Sequence, residues 1–219
     1  MNSEEDFSVS FSLAEVSETT HFVARQDELA EMHMILNDDG RRTVVLHGLG
    51  GIGKTQLAVA YTKIHRADYS AILWLNIRDE DSLKQSFARA ARLIPWENVS
   101  AGIVAPATED KDLDRVIDTV KRWLDHPKNT KWLLVYDNYD NPTLPDNADN
   151  AAIDIRRFMP EAYHGSIIIT TRFAQFQFGH RIHVTKLVDV RDSLQILSDT
   201  SRRSNTLDGM QYLISINAL

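Results

Sequence analysis

The feature that most constrains this chain is a cluster of glycines in the stretch VVLHGLGGIGKTQLA, residues 44–58. Four of the chain's nine glycines fall within it. Glycine loses more backbone entropy on folding than any other residue, so a cluster of glycines indicates a backbone geometry that other residues do not adopt. An apolar run precedes the glycines and an apolar helical pattern follows them. The stretch therefore predicts a strand, a tight loop and a helix.

The same stretch matches the pattern G-x-x-x-x-G-K-[ST], with Gly48 and Gly53 at the fixed glycines and Lys54 and Thr55 after them. In this pattern backbone N–H groups converge on an anion, and the N-terminus of the following helix adds a partial positive charge. We expect Lys54 to reach the β- and γ-phosphates of a nucleotide and the Thr55 hydroxyl to bind Mg²⁺. The residues predicted to bind the cofactor are those of the loop and the first helical turn: Gly48, Gly50, Gly51, Ile52, Gly53, Lys54, Thr55 and Gln56.

The apolar pattern of the chain predicts an α/β fold. Four continuous apolar runs, at 43–47, 71–77, 131–137 and 166–171, have the character of strands buried on both faces, and 181–187 is a weaker fifth. Helical patterns alternate with them, which predicts crossover connections between parallel strands. A further helix is expected to begin near Asp189. The expected architecture is a three-layer P-loop NTPase sandwich with a mainly parallel five-stranded sheet.

The composition of the chain argues against several classes of protein. The net charge is −7 and the pI is about 5.6, which argues against a general affinity for nucleic acid or for an anionic membrane. The chain has no cysteine, so neither a disulfide framework nor thiolate chemistry is expected. Its start is acidic and does not resemble a secretory signal, and no apolar run approaches the ~20 residues that span a bilayer. We expect a cytoplasmic protein, with residues 1–20 forming an acidic N-terminal arm or linker and residues 21–219 forming the nucleotide-binding domain.

Two further candidate residues follow predicted strands. Asp137 ends the strand WLLVYD, at the sheet edge where open α/β folds bind ligands, and is predicted to hold Mg²⁺ together with Thr55. Arg172 follows the strand SIIITT, and its guanidinium is suited to bidentate recognition of a terminal phosphate. With Lys54, Asp137 and Arg172 form the predicted catalytic set.

The residue after Asp137 is Asn138, where a carboxylate would be the natural base to activate water. Asp140 lies nearby, but its spacing does not match that of such a base. Any ATP hydrolysis is therefore expected to be slow. No stretch supplies the Asn/Thr-Lys-x-Asp element by which proteins read guanine, so adenine is the expected base, and ADP or ATP with Mg²⁺ is the expected cofactor.

Together with the upstream segment FVARQDEL, these elements resemble the NB-ARC family of signal-transducing STAND ATPases, the switch domain of NLR-type immune and cell-death receptors. The wording KWLLVYDNYDNP is most similar to fungal members. The resemblance covers residues from about 22 to the C-terminus and implies that Phe22, Val23 and Arg25 contact adenine; Ala24 stands where the family has glycine. In the family a helical GLPL segment and a winged-helix domain follow, so residues 21–219 are expected to represent the core nucleotide-binding subdomain alone.

The resemblance implies a switch module that binds ADP or ATP in an NLR-like innate-immunity or other signalling protein, acting with further domains or with NLR-like partner chains. Two alternatives stay open. One is a short, nucleotide-dead interaction module that pairs with full-length receptors. The other is a P-loop kinase of small molecules, although neither an arginine-rich lid nor a clear base is visible in the sequence.

Overall fold

The structure, a computed structural model, describes residues 7–13, 16, 25–38, 40, 42–98, 103, 112–143, 149, 151–176 and 178–186. Phe22, Val23 and the helix expected near Asp189 lie outside these residues. Among the helices that the structure describes, none combines the length and the apolar character needed to cross a lipid bilayer.

The described chain contains five strands and four α-helices. The strands are β1 (Arg42–His47), β2 (Ala71–Asn76), β3 (Trp132–Asp137), β4 (Ser166–Thr171) and β5 (His180–His183). The α-helices are α1 (Gln26–Leu36), α2 (Lys54–Ile64), α3 (Glu80–Leu93) and α4 (Leu113–Leu124), and short 3-10 turns lie at Arg66–Asp68, Trp96–Asn98 and Ile155–Phe158. The five predicted strands are all present, within a few residues of their expected bounds.

The strand order of the sheet is β2-β3-β4-β1-β5, and every neighbouring pair is parallel. The carboxyl ends of all five strands therefore share one edge of the sheet. Strand β4 lies between β1 and β3, although it is the last of these three in the chain. Residues that follow β1, β3 and β4 consequently come together at this edge, which is the location expected for a ligand in an open α/β sheet.

Helices cover both faces of the sheet because its central strands are apolar on both sides. Val44 of β1 packs in one core cluster with Met32 of α1 and Leu57 of α2. The next residue, Val45, lies in a second cluster with the residues of α3 and α4. Successive strand residues point to opposite faces, so a continuous apolar run is buried by two helical layers. The prediction of a three-layer α/β sandwich is confirmed.

Part of the predicted N-terminal arm packs against the domain. Phe7 is buried in the same core cluster as α3 and α4, and its ring centroid lies 6.0 Å from that of Trp123. The backbone N–H of Val9 donates to the carbonyl oxygen of Ser70, just before the edge strand β2, over 2.9 Å. The arm thus gives the core an aromatic side chain, and it satisfies a backbone group beside an edge of the sheet.

Candidate nucleotide-binding site

The loop between β1 and α2 has the backbone geometry that its glycines predict. Gly53, at the N-cap of α2, has φ 97°, a conformation that disfavours residues with a Cβ. Gly48 approaches another segment closely, since a Cβ there would lie 2.4 Å from the carbonyl oxygen of Val184. The N-cap residue Gly53 has no side chain with which to cap α2. The first N–H groups of α2 are therefore not used by such a cap and are suited to bind an anion.

Lys54 folds back across this loop. Its Nζ donates to the carbonyl oxygens of Gly48 and Leu49, each over 2.9 Å, and the residue is buried. Burial is the largest influence on its pKa and lowers it; nearby Asp140 and Asp137 act in the opposite direction and Arg172 in the same direction. The ammonium group is thus partly desolvated and bonded to loop carbonyls. The Lys54 cation therefore lies beside the loop backbone, where a phosphate bound in the loop would contact it.

Thr55 and Asp137, the two predicted metal ligands, meet at the carboxyl edge of the sheet. Thr55 Oγ1 donates to Asp137 Oδ1 over 2.8 Å, and the Asp137 side chain is buried. Thr170 of β4 donates to the same Oδ1 atom over 2.6 Å. Hydroxyl and carboxylate oxygens are the ligands that Mg²⁺ prefers, so this donor set fits the expected metal. Sequence reasoning missed Thr170, which lies in the apolar run SIIITT and is marked there only by its hydroxyl.

Asn138 supports Asp137 with its amide group. It adopts a left-handed backbone conformation with φ 68°, which asparagine tolerates better than most residues. Its Nδ2 donates to Asp137 Oδ2 over 3.2 Å, and its backbone N–H donates to Thr170 Oγ1 over 3.0 Å. The side chain orients the carboxylate of Asp137, but it cannot itself accept a proton from water as a carboxylate would.

Arg172 lies close to Gly50 of the glycine loop, and Asp140 pairs with it there. The two line one pocket of about 230 Å³ together with Lys54, Thr55 and the loop glycines. The backbone N–H of Arg172 donates to Asp140 Oδ1 over 2.7 Å, and Arg172 Nε donates to Oδ2 over 2.8 Å. The structure therefore brings two of the predicted catalytic residues, Lys54 and Arg172, to one pocket. The third, Asp137, adjoins this pocket through its hydrogen bond with Thr55.

Arg25 contacts the loop from the other side. Its Nη2 donates to the carbonyl oxygens of Ile52 and Thr185, each over 2.9 Å, and its Nη1 pairs with Glu28 over 3.0 Å. The guanidinium thus links the phosphate loop to the segment after β5. The contact of Arg25 with adenine that the resemblance implies stays a prediction, and Phe22 and Val23 lie outside the described residues. Gln56, in the first turn of α2, lines the 230 Å³ pocket.

A larger cavity, of about 540 Å³, adjoins the site on the side of β2 and α3. Thr55, Gln56 and Asn138 line both this cavity and the 230 Å³ pocket, which we call the phosphate pocket. Its other walls combine apolar side chains such as Trp74 and Leu93 with Arg89 and other polar groups. The size lies within the range of small-molecule sites in proteins.

Comparisons with known proteins agree with this geometry. No protein-family model matches the chain. A Hyaloscypha variabilis protein described as a nucleotide-binding leucine-rich repeat (NLR)-like protein is 23% identical over 206 residues, covering 87% of this chain and 19% of that protein. The chain thus spans about a fifth of the length of this relative. The crystal structure of Cdc6p from Pyrobaculum aerophilum superimposes with a TM-score of 0.51 and 14% identity, over 87% of this chain and 52% of that one.

The Cdc6p likeness concerns the fold, and the fungal relative supplies the likeness in sequence. Each likeness covers 87% of the chain. The likeness to an NLR-like protein and the shared fold support the prediction of an NLR/STAND-like P-loop NTPase domain.

Proposed function

We propose that this chain is the nucleotide-binding core of an NB-ARC-type switch, which binds ADP or ATP with Mg²⁺ and hydrolyses ATP slowly at most. The observation that carries the proposal is the meeting of Thr55 Oγ1 and Asp137 Oδ1, 2.8 Å apart, beside the loop that holds Lys54. A cation, a hydroxyl and a carboxylate in this arrangement suit a nucleotide phosphate and its metal. Mg²⁺, when bound, would neutralise phosphate charge at this place.

Support for a switch rather than a fast enzyme comes from Asn138. Its amide bonds to Asp137, and no carboxylate occupies the position next to the metal ligand. When hydrolysis is slow, the bound nucleotide stays in the site, and the conformation of the protein can depend on which nucleotide is bound. The remaining parts of the proposal follow the sequence resemblance: adenine as the base, a fungal NLR-like signalling or innate-immunity protein, a cytoplasmic location, and further domains or partner chains that receive the signal.

The test is direct identification of the nucleotide. The purified protein is denatured, and any released nucleotide is identified by mass spectrometry; binding of ADP, ATP, GDP and GTP is then measured by calorimetry with Mg²⁺. We expect adenine nucleotides to bind and guanine nucleotides to bind much more weakly. Failure of all four nucleotides to bind would contradict the proposal and favour the nucleotide-dead interaction module.

One observation favours a second candidate function, phosphoryl transfer to a small acceptor. The 540 Å³ cavity borders Thr55, Asp137 and Asn138, so an acceptor in it would lie next to the predicted phosphate site. Apolar walls and an arginine, Arg89, suit an acceptor that has an apolar body and an anionic group. Incubation with labelled ATP and a panel of such acceptors tests this; transfer above the rate of hydrolysis would favour the kinase.

A further inference from the structure

Asp140 is a charged residue of the phosphate pocket to which the proposed function assigns no role. Both of its carboxylate oxygens bind Arg172: Oδ1 accepts the backbone N–H over 2.7 Å, and Oδ2 accepts Nε over 2.8 Å. The residues are 32 positions apart, so the contact is made by the packing of β3 beside β4.

Arg172 in turn lies directly over the glycine loop. A Cβ on Gly50 would be 3.3 Å from its guanidinium carbon. The side chain of Arg172 is 68% exposed and that of Asp140 is 31% exposed, so the pair faces the open pocket and is not sealed in the core. An incoming phosphate can therefore reach both groups.

The charge of Asp140 acts on the phosphate site itself. Its carboxylate lines the same pocket as Lys54 and pairs with Arg172 there. Asp140 therefore lies in the pocket with both cations that would face a nucleotide's phosphates, Lys54 and Arg172. A negative charge in this position repels a further anion that approaches the same cations.

We propose that the carboxylate of Asp140 makes the phosphate pocket prefer a nucleoside diphosphate to a triphosphate, because it competes with the terminal phosphate for Arg172. The inference rests on the proposed nucleotide-binding function. A diphosphate leaves the Asp140–Arg172 pair in place. A triphosphate brings additional negative charge to Arg172, and it must displace the carboxylate or tolerate its repulsion.

The test measures affinities for ADP and for a non-hydrolysable ATP analogue, each with Mg²⁺, in the wild type and in Asp140→Asn. The amide keeps an oxygen that can accept the N–H groups of Arg172 but removes the charge. We expect the ATP analogue to gain about tenfold in affinity relative to ADP, a change of about 1.4 kcal/mol in the difference between the two binding free energies. Asp140→Glu, which restores a carboxylate, should retain the wild-type preference.

A double-mutant cycle with Arg172→Ala tests whether the effect passes through the arginine. We expect Arg172→Ala alone to lower the affinity for the ATP analogue more than the affinity for ADP. In that background, Asp140→Asn should change the ratio of the two affinities by less than threefold. High salt should also reduce the effect of Asp140→Asn, because exposed charges are screened.

Asp154→Asn is the matched control. Asp154 also accepts the backbone N–H of Arg156, over 3.2 Å, and its Nε, over 2.8 Å, but the pair does not line the phosphate pocket. The Asp154→Asn variant should leave the ratio of the affinities for the ATP analogue and ADP unchanged.

Three outcomes would overturn the inference. In the first, Asp140→Asn lowers the affinity for the ATP analogue, which would make Asp140 a positioning residue that holds Arg172 for the phosphate. In the second, the wild type binds ADP but the ratio of affinities does not respond to Asp140→Asn; the proposed function then survives alone. In the third, the wild type binds neither nucleotide, and both proposals are wrong.

Discussion

Thr55 Oγ1 and Asp137 Oδ1 lie 2.8 Å apart, although 82 residues separate them in the chain. Thr55 belongs to the helix after β1, and Asp137 is the last residue of β3; the two strands are not neighbours, because β4 lies between them. Thr170 of β4 bonds to the same carboxylate oxygen and so bridges the gap. The contact links the glycine loop to the strand that carries the predicted metal ligand Asp137, and it is the basis of the predictions for the site.

Lys54→Ala should lower the affinity for ADP and for ATP at least tenfold, because it removes a buried cation that lies on the phosphate loop. The fold should persist, since the ammonium group bonds only to loop carbonyls among the described residues. Calorimetry on a variant with an unchanged circular dichroism spectrum measures the effect. Lys63→Ala, an exposed lysine on the same helix, is the control and should bind as the wild type does. Binding by Lys54→Ala within threefold of the wild type would contradict the phosphate-loop assignment.

Thr55→Val should remove most of the contribution of Mg²⁺ to nucleotide affinity, because valine keeps the shape of threonine but has no oxygen for the metal. Affinity for ADP is measured with Mg²⁺ and with a chelator. We expect the wild type to lose affinity when Mg²⁺ is removed and the variant to change little. Thr62→Val removes a buried hydroxyl from the same helix, one that bonds to the carbonyl oxygen of Val59, and should keep the wild-type Mg²⁺ dependence. An equal Mg²⁺ dependence in wild type and Thr55→Val would show that the metal is held elsewhere.

Asn138→Glu should raise the rate of ATP hydrolysis about tenfold or more, since a positioned general base contributes ~10²–10⁴ to a rate. Asn138→Gln has the same length without the carboxylate and shares the cost of the left-handed backbone, so it serves as the control. Release of phosphate at saturating ATP is the measurement. A wild-type rate that already equals that of the Glu variant would indicate that another group activates water.

Phe7→Ala should lower the free energy of unfolding by about 2–4 kcal/mol, because it removes a buried aromatic ring that packs beside Trp123 and His126. Urea denaturation followed by tryptophan fluorescence measures this. Ser10→Ala, at an exposed position of the same segment, should change stability by less than about 0.5 kcal/mol. Equal stability of the Phe7 variant and the wild type would mean that the segment does not contribute to the core in solution.

Much of the fold and of the phosphate loop could be predicted from the sequence, because these features are encoded locally. The glycines around Lys54 specify a loop that only they can form, and the spacing to Thr55 orders the side chains within one turn of helix. Continuous apolar runs predicted strands buried on both faces, and the polar residues at their ends, Asp137 and Arg172, were predicted as site residues for the same reason.

Only the tertiary structure decided which distant residues meet. Hydrophobic periodicity does not specify the order of strands in a sheet, so the place of β4 between β1 and β3 was not predictable, nor was the bond of Thr170 to Asp137. The pairing of Asp140 with Arg172 depends on the same neighbours. Phe7 lies in a polar, acidic segment that indicated an arm, and its burial follows from a space beside Trp123 that local sequence does not reveal. Spacing along the chain determines the chemistry within one loop or turn; contacts between elements depend on strand order and packing, which arise only when the whole domain folds.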